Sequence, residues 1–345
     1  MAELDPRAFR MPAEWEPHAA TWLTWPHDEA HWPGKFHVVH PIWARMVKEL
    51  ETGEDVRIII HDDDTECIAR AAMDKAGVVG RRVHLHRAPN NWSWVRDHGP
   101  TVVVNAHGER RLLHWRFNGW GEKWPHDLDA TVPFAIERAT GIPRVEIPMV
   151  LEGGSIDVNG AGTLVTTASC LLNPNRNPAM SKDAIEGALC KHLGVAHVIW
   201  LDHEVAGDDT SGHVDDMTRF IGPRTVLTVV ERDAHDENHA ALAANARTLA
   251  AARDQDGRPL DVVTVPLPAP VIHDGTRLPA SYANFYIAND VVLLPVFNDP
   301  ADTAAALALA RAFPTRRIAA IDARDLVWGF GAFHCVTQQE PLAAT

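Results

Sequence analysis

The chain has 345 residues, of which 46% are hydrophobic and 23% charged, a globular composition long enough for two domains or one large α/β assembly. Its formal charge of −14 argues against a nucleic-acid or anionic-membrane partner, since both need surplus Lys and Arg, and suits a small cationic ligand. The opening stretch MAELDPRAFRMPAEWEPH has no apolar h-region, and no apolar run reaches the ~20 residues that cross a bilayer, so a soluble chain without a signal peptide is expected.

Taken in chain order, the first elements are a strand in ATWLTWP, a helix in HPIWARMVKELE and a strand in DVRIIIH. TVVVNAHGERRLLHWRF then reads as two strands around an NAHG turn, DLDATVPFAIERATG as a helix and RVEIP as a strand. The clearest unit follows. SIDVNGAGTLVTT is a hairpin with an NGAG turn, SKDAIEGALCKHLG a helix with Ser181 as N-cap and Gly194 as stop, and HVIWL a strand. DMTRFIGPRTVLTVV, DENHAALAANARTLAAAR and DVVTVPL repeat the order, as do SYANFYIANDVVLLPVF, DPADTAAALALARAF and RRIAAID.

Only the first unit lacks its leading strand, and FHCVTQQ at the C-terminus can supply it. The order of elements therefore predicts an α/β fold of five ββαβ units. They would form one domain over 1–345, a ring closed by pairing of the N- and C-terminal strands. A generic α/β sandwich is the alternative. No residue identities repeat between units.

Four polar clusters fall at strand ends or turns, where a scaffold can present them. NNWSWVRDHGP carries Arg96 and Asp97, which alone could be a structural ion pair. LEGGSID sets Glu152 before Gly153 and Gly154, a turn or a close backbone approach. In GDDTSGHVDD, His213 and Asp215 are two apart, so on a strand both would face one side. In WGFGAFHCVTQQ, Cys335 sits on an expected strand after a glycine-rich loop.

The four cysteines, Cys67, Cys170, Cys190 and Cys335, show no CxxC pair, so free thiols in a reducing cytosol are expected and a zinc site is not. Cys170 and Cys190 have no His or acid patterned beside them. One thiol, one His and three carboxylates suit attack on a planar cation. Two carboxylates can each accept two N–H bonds from a guanidinium, and the His can protonate departing ammonia and then activate water.

MPAEWEPH, WVRDHGP, FNGWG, LEGGSI, LLNPNRNP, GHVDD, ANFYIAND and FHCVTQQ, in this order, resemble the agmatine deiminase family of guanidino-modifying enzymes, over residues 11 to 341. That group also contains a bacterial peptidyl-arginine deiminase. The resemblance implies the pentein fold, a five-bladed pseudosymmetric α/β propeller. It implies hydrolysis of agmatine to N-carbamoylputrescine and ammonia through a covalent amidino-cysteine, with no cofactor or metal. By motif, Cys335 is then the nucleophile, His213 the general acid/base, Asp97 and Asp215 the guanidinium-binding carboxylates, and Glu152 the acid beside the His. Trp94 would wall the channel, and Asp209 would meet the distal amine. A homodimer or larger assembly is the family's habit.

The chain departs from the pattern in reading GFGAFHC where GGGNIHC is common, in a shorter segment after FNGWG, and in Ser211 where an acid is common. Arg116 in HWRFNGWG could hold a substrate carboxylate, which keeps a deiminase of free or peptidyl arginine open as an alternative. An amidinotransferase shares the first half-reaction and stays open too.

Overall fold

The computed structural model describes residues 9–343, so the charged opening stretch 1–8 lies outside the described residues. Five sheets share one plan. In each, two antiparallel strands are followed by a helix and a third strand parallel to the second, which lies between the other two; in one sheet the first of the antiparallel pair comes from the C-terminal part of the chain.

The unit with the clearest sequence signals forms as expected. Ile156–Val158 and Thr163–Thr167 make the hairpin, Lys182–Leu193 the helix and His197–Leu201 the parallel strand. The Asn159 side chain accepts from the backbone N–H of Ala161 and of Thr163, both at 2.9 Å, which sets the turn, while Gly160 supplies a φ of +69°. Ser181 Oγ caps Ala184 N–H at 3.2 Å, and Gly194 ends the helix at φ +66°.

The others follow suit. Thr101–Asn105 and Arg110–Arg116 pair before helix Val132–Thr140 and strand Arg144–Val150. Thr218–Phe220 and Thr225–Val230 precede Asn238–Ala251 and Asp261–Pro266. Tyr286–Ile287 and Val291–Val296 precede Ala301–Ala312 and Arg317–Asp322. In the remaining sheet, Thr337–Pro341 pairs antiparallel with His18–Thr24, with Thr337 opposite Leu23, so the N- and C-terminal parts of the chain share one sheet. Helix Phe36–Leu50 and strand Asp55–Ile60 complete it.

Two features depart from the sequence reading. Helix Phe36–Leu50 starts a turn before Pro41; so near its N-terminus a proline forfeits a single backbone bond. A further helix, Asp63–Ala76, and an edge strand, Val83–Arg87, extend that sheet and were not anticipated. The helix carries its own signals, since the Asp62 side chain caps Thr65 N–H at 2.8 Å and Gly77 closes it at φ +72°.

The plan fixes where chemistry can occur. Short segments run directly into the leading strand of each sheet: Val95–His98, Gly153–Ser155, Val214–Asp216, and the turns at 282–283 and 333–336. The polar motifs lie on these five segments or at their borders. His213 and Asp215 therefore sit at a single 3-10 turn rather than on a strand, and Cys335 lies in a turn two residues before its strand. A turn between a loop and a leading strand tips side chains toward its neighbours, which strand alternation would not do.

Candidate active site

Cys335 is buried, and its turn is pinned by a residue from another sheet. The Asn284 side-chain oxygen accepts from the backbone N–H of His334 at 3.0 Å and of Cys335 at 3.3 Å. Its Nδ2 donates to Cys335 Sγ at 3.0 Å and to Asp216 Oδ1 at 2.9 Å. The thiol also lies 3.6 Å from Asp215 Oδ2. Gly331 must be glycine-sized, because an added Cβ would stand 2.8 Å from the Trp94 ring and 3.2 Å from the sulfur.

Asp97 is held from two sides. Its Oδ1 accepts from Gly154 N–H and its Oδ2 from Trp120 Nε1, each at 2.9 Å. A Cβ on Gly154 would fall 2.6 Å from His213 Nδ1 and 3.0 Å from both Asp97 and Asp215. The paired glycines are thus a close approach, which the motif alone could not separate from an ordinary turn. His213 Nδ1 is 3.8 Å from Asp97 Oδ1 and 4.0 Å from Asp215 Oδ1, and neither ring nitrogen has a hydrogen-bond partner. Glu152 accepts from Arg176 Nε at 2.6 Å, and its second oxygen is unpaired.

This crowding sets the charges. Burial first, then the neighbouring Asp215, hold Asp97 well above the carboxylate range. Burial first, then Asp215, Asp216 and Asp97, push the Cys335 thiol up. Burial brings His213 down to about 3. Asp215 goes the other way: burial works to raise it, but the hydrogen bond and charge of His334 prevail and hold it low. Burial and mutual repulsion thus disfavour the ionised forms of Asp97 and Cys335, and a cation beside them would favour ionisation.

Sequence reasoning missed the layer beneath. His334 Nδ1 bonds Asp215 Oδ2 at 2.6 Å, and its Nε2 bonds Glu14 Oε2 at 2.9 Å. Glu14 Oε2 also meets Arg219 at 2.8 Å and Arg96 at 3.4 Å. Arg96 is not paired with Asp97. It donates to Gln338 at 2.6 Å and Gln339 at 2.7 Å, joining WVRD to TQQ. Five buried polar residues in different motifs are the one signal that could have revealed this layer, since each needs a partner.

Above the thiol lies a cavity of about 120 Å³. Trp92, Trp94, Trp120, Trp124, His31 and Phe330 line it, with Asp97 and Cys335 at its inner end and Asp209 and Thr210 on one side. Larger clefts of 340 and 620 Å³ lie elsewhere but are lined by no Cys or His.

Trp94 and Asp209 are therefore among the cavity's lining residues. Arg116 is not. It is an exposed residue at the end of its strand and does not line the cavity. Asp208, next to Asp209, is raised to about 6 by burial and accepts from Thr210 and Gly212 within its own loop.

Two buried sets could offer metal donors, Glu152–Cys170–His213 and Asp215–Asp216–Cys335, each with its ligand atoms within 4.8 Å of one another. No sequence spacing hinted at them, because each set draws on separate loops or motifs. They also correct the view of Cys170 as remote from His and acids. It lies in the short helix Ala168–Leu171 beside Glu152 and His213. All four cysteines are free.

A buried thiol, an unpartnered imidazole and carboxylates around one small cavity define a candidate hydrolytic site for a planar cation, and comparison with known proteins agrees. Residues 10–341 match the model of the Porphyromonas-type peptidyl-arginine deiminase family, and the chain belongs to that family. It is similar to the agmatine deiminase of Ectopseudomonas mendocina, with 37% identity covering 97% of each chain. Among solved structures it resembles the agmatine deiminase of Enterococcus faecalis, with 32% identity, 99% of each chain covered and a TM-score of 0.92. It also resembles a substrate-bound agmatine deiminase of C. jejuni, with 27% identity, 98% and 97% coverage and a TM-score of 0.89.

Proposed function

We propose that this chain hydrolyses agmatine to N-carbamoylputrescine and ammonia. The observation that carries the reading is Cys335 at the inner end of a tryptophan-lined cavity, with Asp97 and Asp215 beside it and His213 within 4.0 Å of both carboxylates.

Asp97 and Asp215 accept N–H bonds from the guanidinium and hold its carbon before sulfur. The docked cation reverses the local field, so Cys335 ionises, its proton passes to His213, and the thiolate adds to the carbon. His213 delivers a proton to one terminal nitrogen, ammonia leaves, and an S-amidino-cysteine remains. The same ring then takes a proton from water as it adds to that carbon. The C–S bond breaks, releasing the ureido product and restoring the thiol. Glu152, anchored by Arg176, sits where it can steady the imidazolium when His213 is charged.

Trp94 walls the alkyl chain, and Asp209 faces the distal amine. Arginine as substrate loses the residue that argued for it, since Arg116 lies outside the cavity. Transfer would instead expel the alkylamine and bring an acceptor amine to the amidino-cysteine in place of water, an outcome that releases no ammonia. The five matching sheets and the shared terminal sheet support one domain closed as a five-bladed propeller. A homodimer in a reducing cytosol, feeding putrescine formation, completes the reading; free cysteines support the compartment.

The test is ammonia release from agmatine, arginine, methylated arginines and arginine peptides, before and after dialysis against chelator. Agmatine turnover that survives chelation is expected. Activity lost with chelator and restored by zinc or manganese would overturn the cysteine-only mechanism.

A further inference from the structure

Among the described residues lining the outer part of the cavity, the one carboxylate, Asp209, is not free. Lys123 Nζ lies 3.1 Å from Asp209 Oδ1 and also bonds the Asp209 backbone carbonyl. Trp124 Nε1 donates to Asp209 Oδ2 at 2.9 Å. Both oxygens therefore have partners before any substrate arrives, and both partners come from the segment that is short in this chain. An ammonium group reaching this point meets a carboxylate that already holds a cation.

The pair is also exchangeable. The Lys123 side chain is 35% exposed and that of Asp209 37%, and a pair so exposed is weakly held. Elsewhere the outer wall offers rings. Trp92 and Trp124 meet edge to face at 5.4 Å, and His31 stacks on Trp92 at 3.8 Å. Such a wall grips an alkyl chain whether or not its end is charged.

We propose that Lys123 is a specificity-determining residue: a tethered cation that occupies Asp209 and must be displaced by the distal amine of the substrate. The inference rests on the guanidine-hydrolase reading above. It follows that the chain separates agmatine from an alkylguanidine lacking the amine less sharply than its carboxylate would allow. Fractional occupancy by Lys123 reduces apparent affinity for the charged end in proportion and leaves the uncharged end indifferent. Charge repulsion between Lys123 and the substrate ammonium acts in the same direction and weakens with salt.

The experiment measures kcat/KM for agmatine and n-butylguanidine in native protein, Lys123→Met and Asp209→Asn. Methionine keeps the length of the stem and removes the charge. The ratio of agmatine to n-butylguanidine should rise about threefold to tenfold in Lys123→Met, through KM, and by less at high salt. In Asp209→Asn the ratio should fall. An unchanged or lower ratio in Lys123→Met overturns the proposal. Dissociation constants for the same two ligands, read from cavity tryptophan fluorescence in Cys335→Ala protein with and without Lys123→Met, give the same ratio without turnover. Absence of ammonia release from either compound therefore refutes the hydrolase reading, while the binding ratio still decides the role of Lys123.

Discussion

The inner and outer ends of the cavity are built on opposite principles. At the inner end, Glu14, Arg96, Arg219, Asp215 and His334 are all buried, and one carboxylate oxygen of Glu14 serves three cationic or imidazole partners within 3.4 Å. At the outer end, a third-exposed ion pair sits among aromatic rings, and Phe330 holds a φ of +70°. The inner end fixes atoms that must align with a reacting carbon, which tolerates little misplacement. The outer end has only to grade substrates by their tails. Substitutions inside should therefore strike turnover or folding, and those outside should strike KM.

The largest effect is expected at the thiol. Cys335→Ser should lower turnover by at least ~10⁴-fold, the scale of a lost nucleophile. Exposed Cys67 and helical Cys190 should tolerate serine. Cys170 is the sharper control, since it touches the same chemistry from behind His213, and Cys170→Ala should lose less than ~10-fold if only Cys335 attacks. Comparable losses at both thiols would remove the assignment.

Next comes Glu14→Gln, which acts on folding. It leaves Arg96 and Arg219 buried with less countercharge, and removing one partner from such a cluster costs about 3–5 kcal/mol. The pH dependence has a definite sign. Burial works to raise Glu14, but Arg219, His334 and Arg96 outweigh it and hold it below its unfolded value. Its contribution is thus present above about pH 4 and lost on acidification. The thermal midpoint of the native protein should fall below that pH, and that of Glu14→Gln should fall less. Parallel acid limbs would show that Glu14 does not govern the inner end.

Asp97→Asn and Asp215→Asn should each slow the chemical step at least ~100-fold, the scale of a lost charge-stabilising contact. In the free protein Asp97 and Cys335 are raised, so kcat/KM should climb with pH as both ionise, and agmatine should drive protons into the buffer on binding. Calorimetry in buffers of different ionisation enthalpy measures that release. Binding with no proton exchange near neutral pH would mean that the site is already ionised.

What the sequence could reveal follows the same division. Element order was readable because hairpin turns and caps are local: Asn159–Gly160, Ser181 and Gly194 act on neighbours within a few residues. The residues proposed to meet the guanidinium were readable as motifs, although the strand-face argument for His213 and Asp215 failed, since the pair lies at a 3-10 turn. What stayed hidden was long-range. Asn284 reaches Cys335 across 51 residues of chain, and Glu14 reaches His334 across 320, so no spacing rule connects them. Arg116 failed because it ends its strand exposed and outside the cavity lining.

The smallest expected effect tests the outer end alone. Phe330 adopts a left-handed backbone in the loop before Cys335, at a place where the family commonly has glycine, and its ring lines the cavity. For an L-residue that conformation costs roughly 1–2 kcal/mol, whereas glycine adopts it freely but loses about 0.5–1 kcal/mol through the entropy of the unfolded chain. Phe330→Gly should therefore leave stability unchanged or raise it by up to about 1 kcal/mol, before any packing lost with a ring that is 36% exposed. The same change removes one aromatic wall from the alkyl channel, so KM for agmatine should rise a few-fold with kcat nearly constant. A gain or no change in thermal midpoint together with a higher KM would show strain held at the outer end for the sake of binding. A clear drop in midpoint would mean that Phe330 is part of the packed scaffold, and the division between the two ends would not hold at that residue.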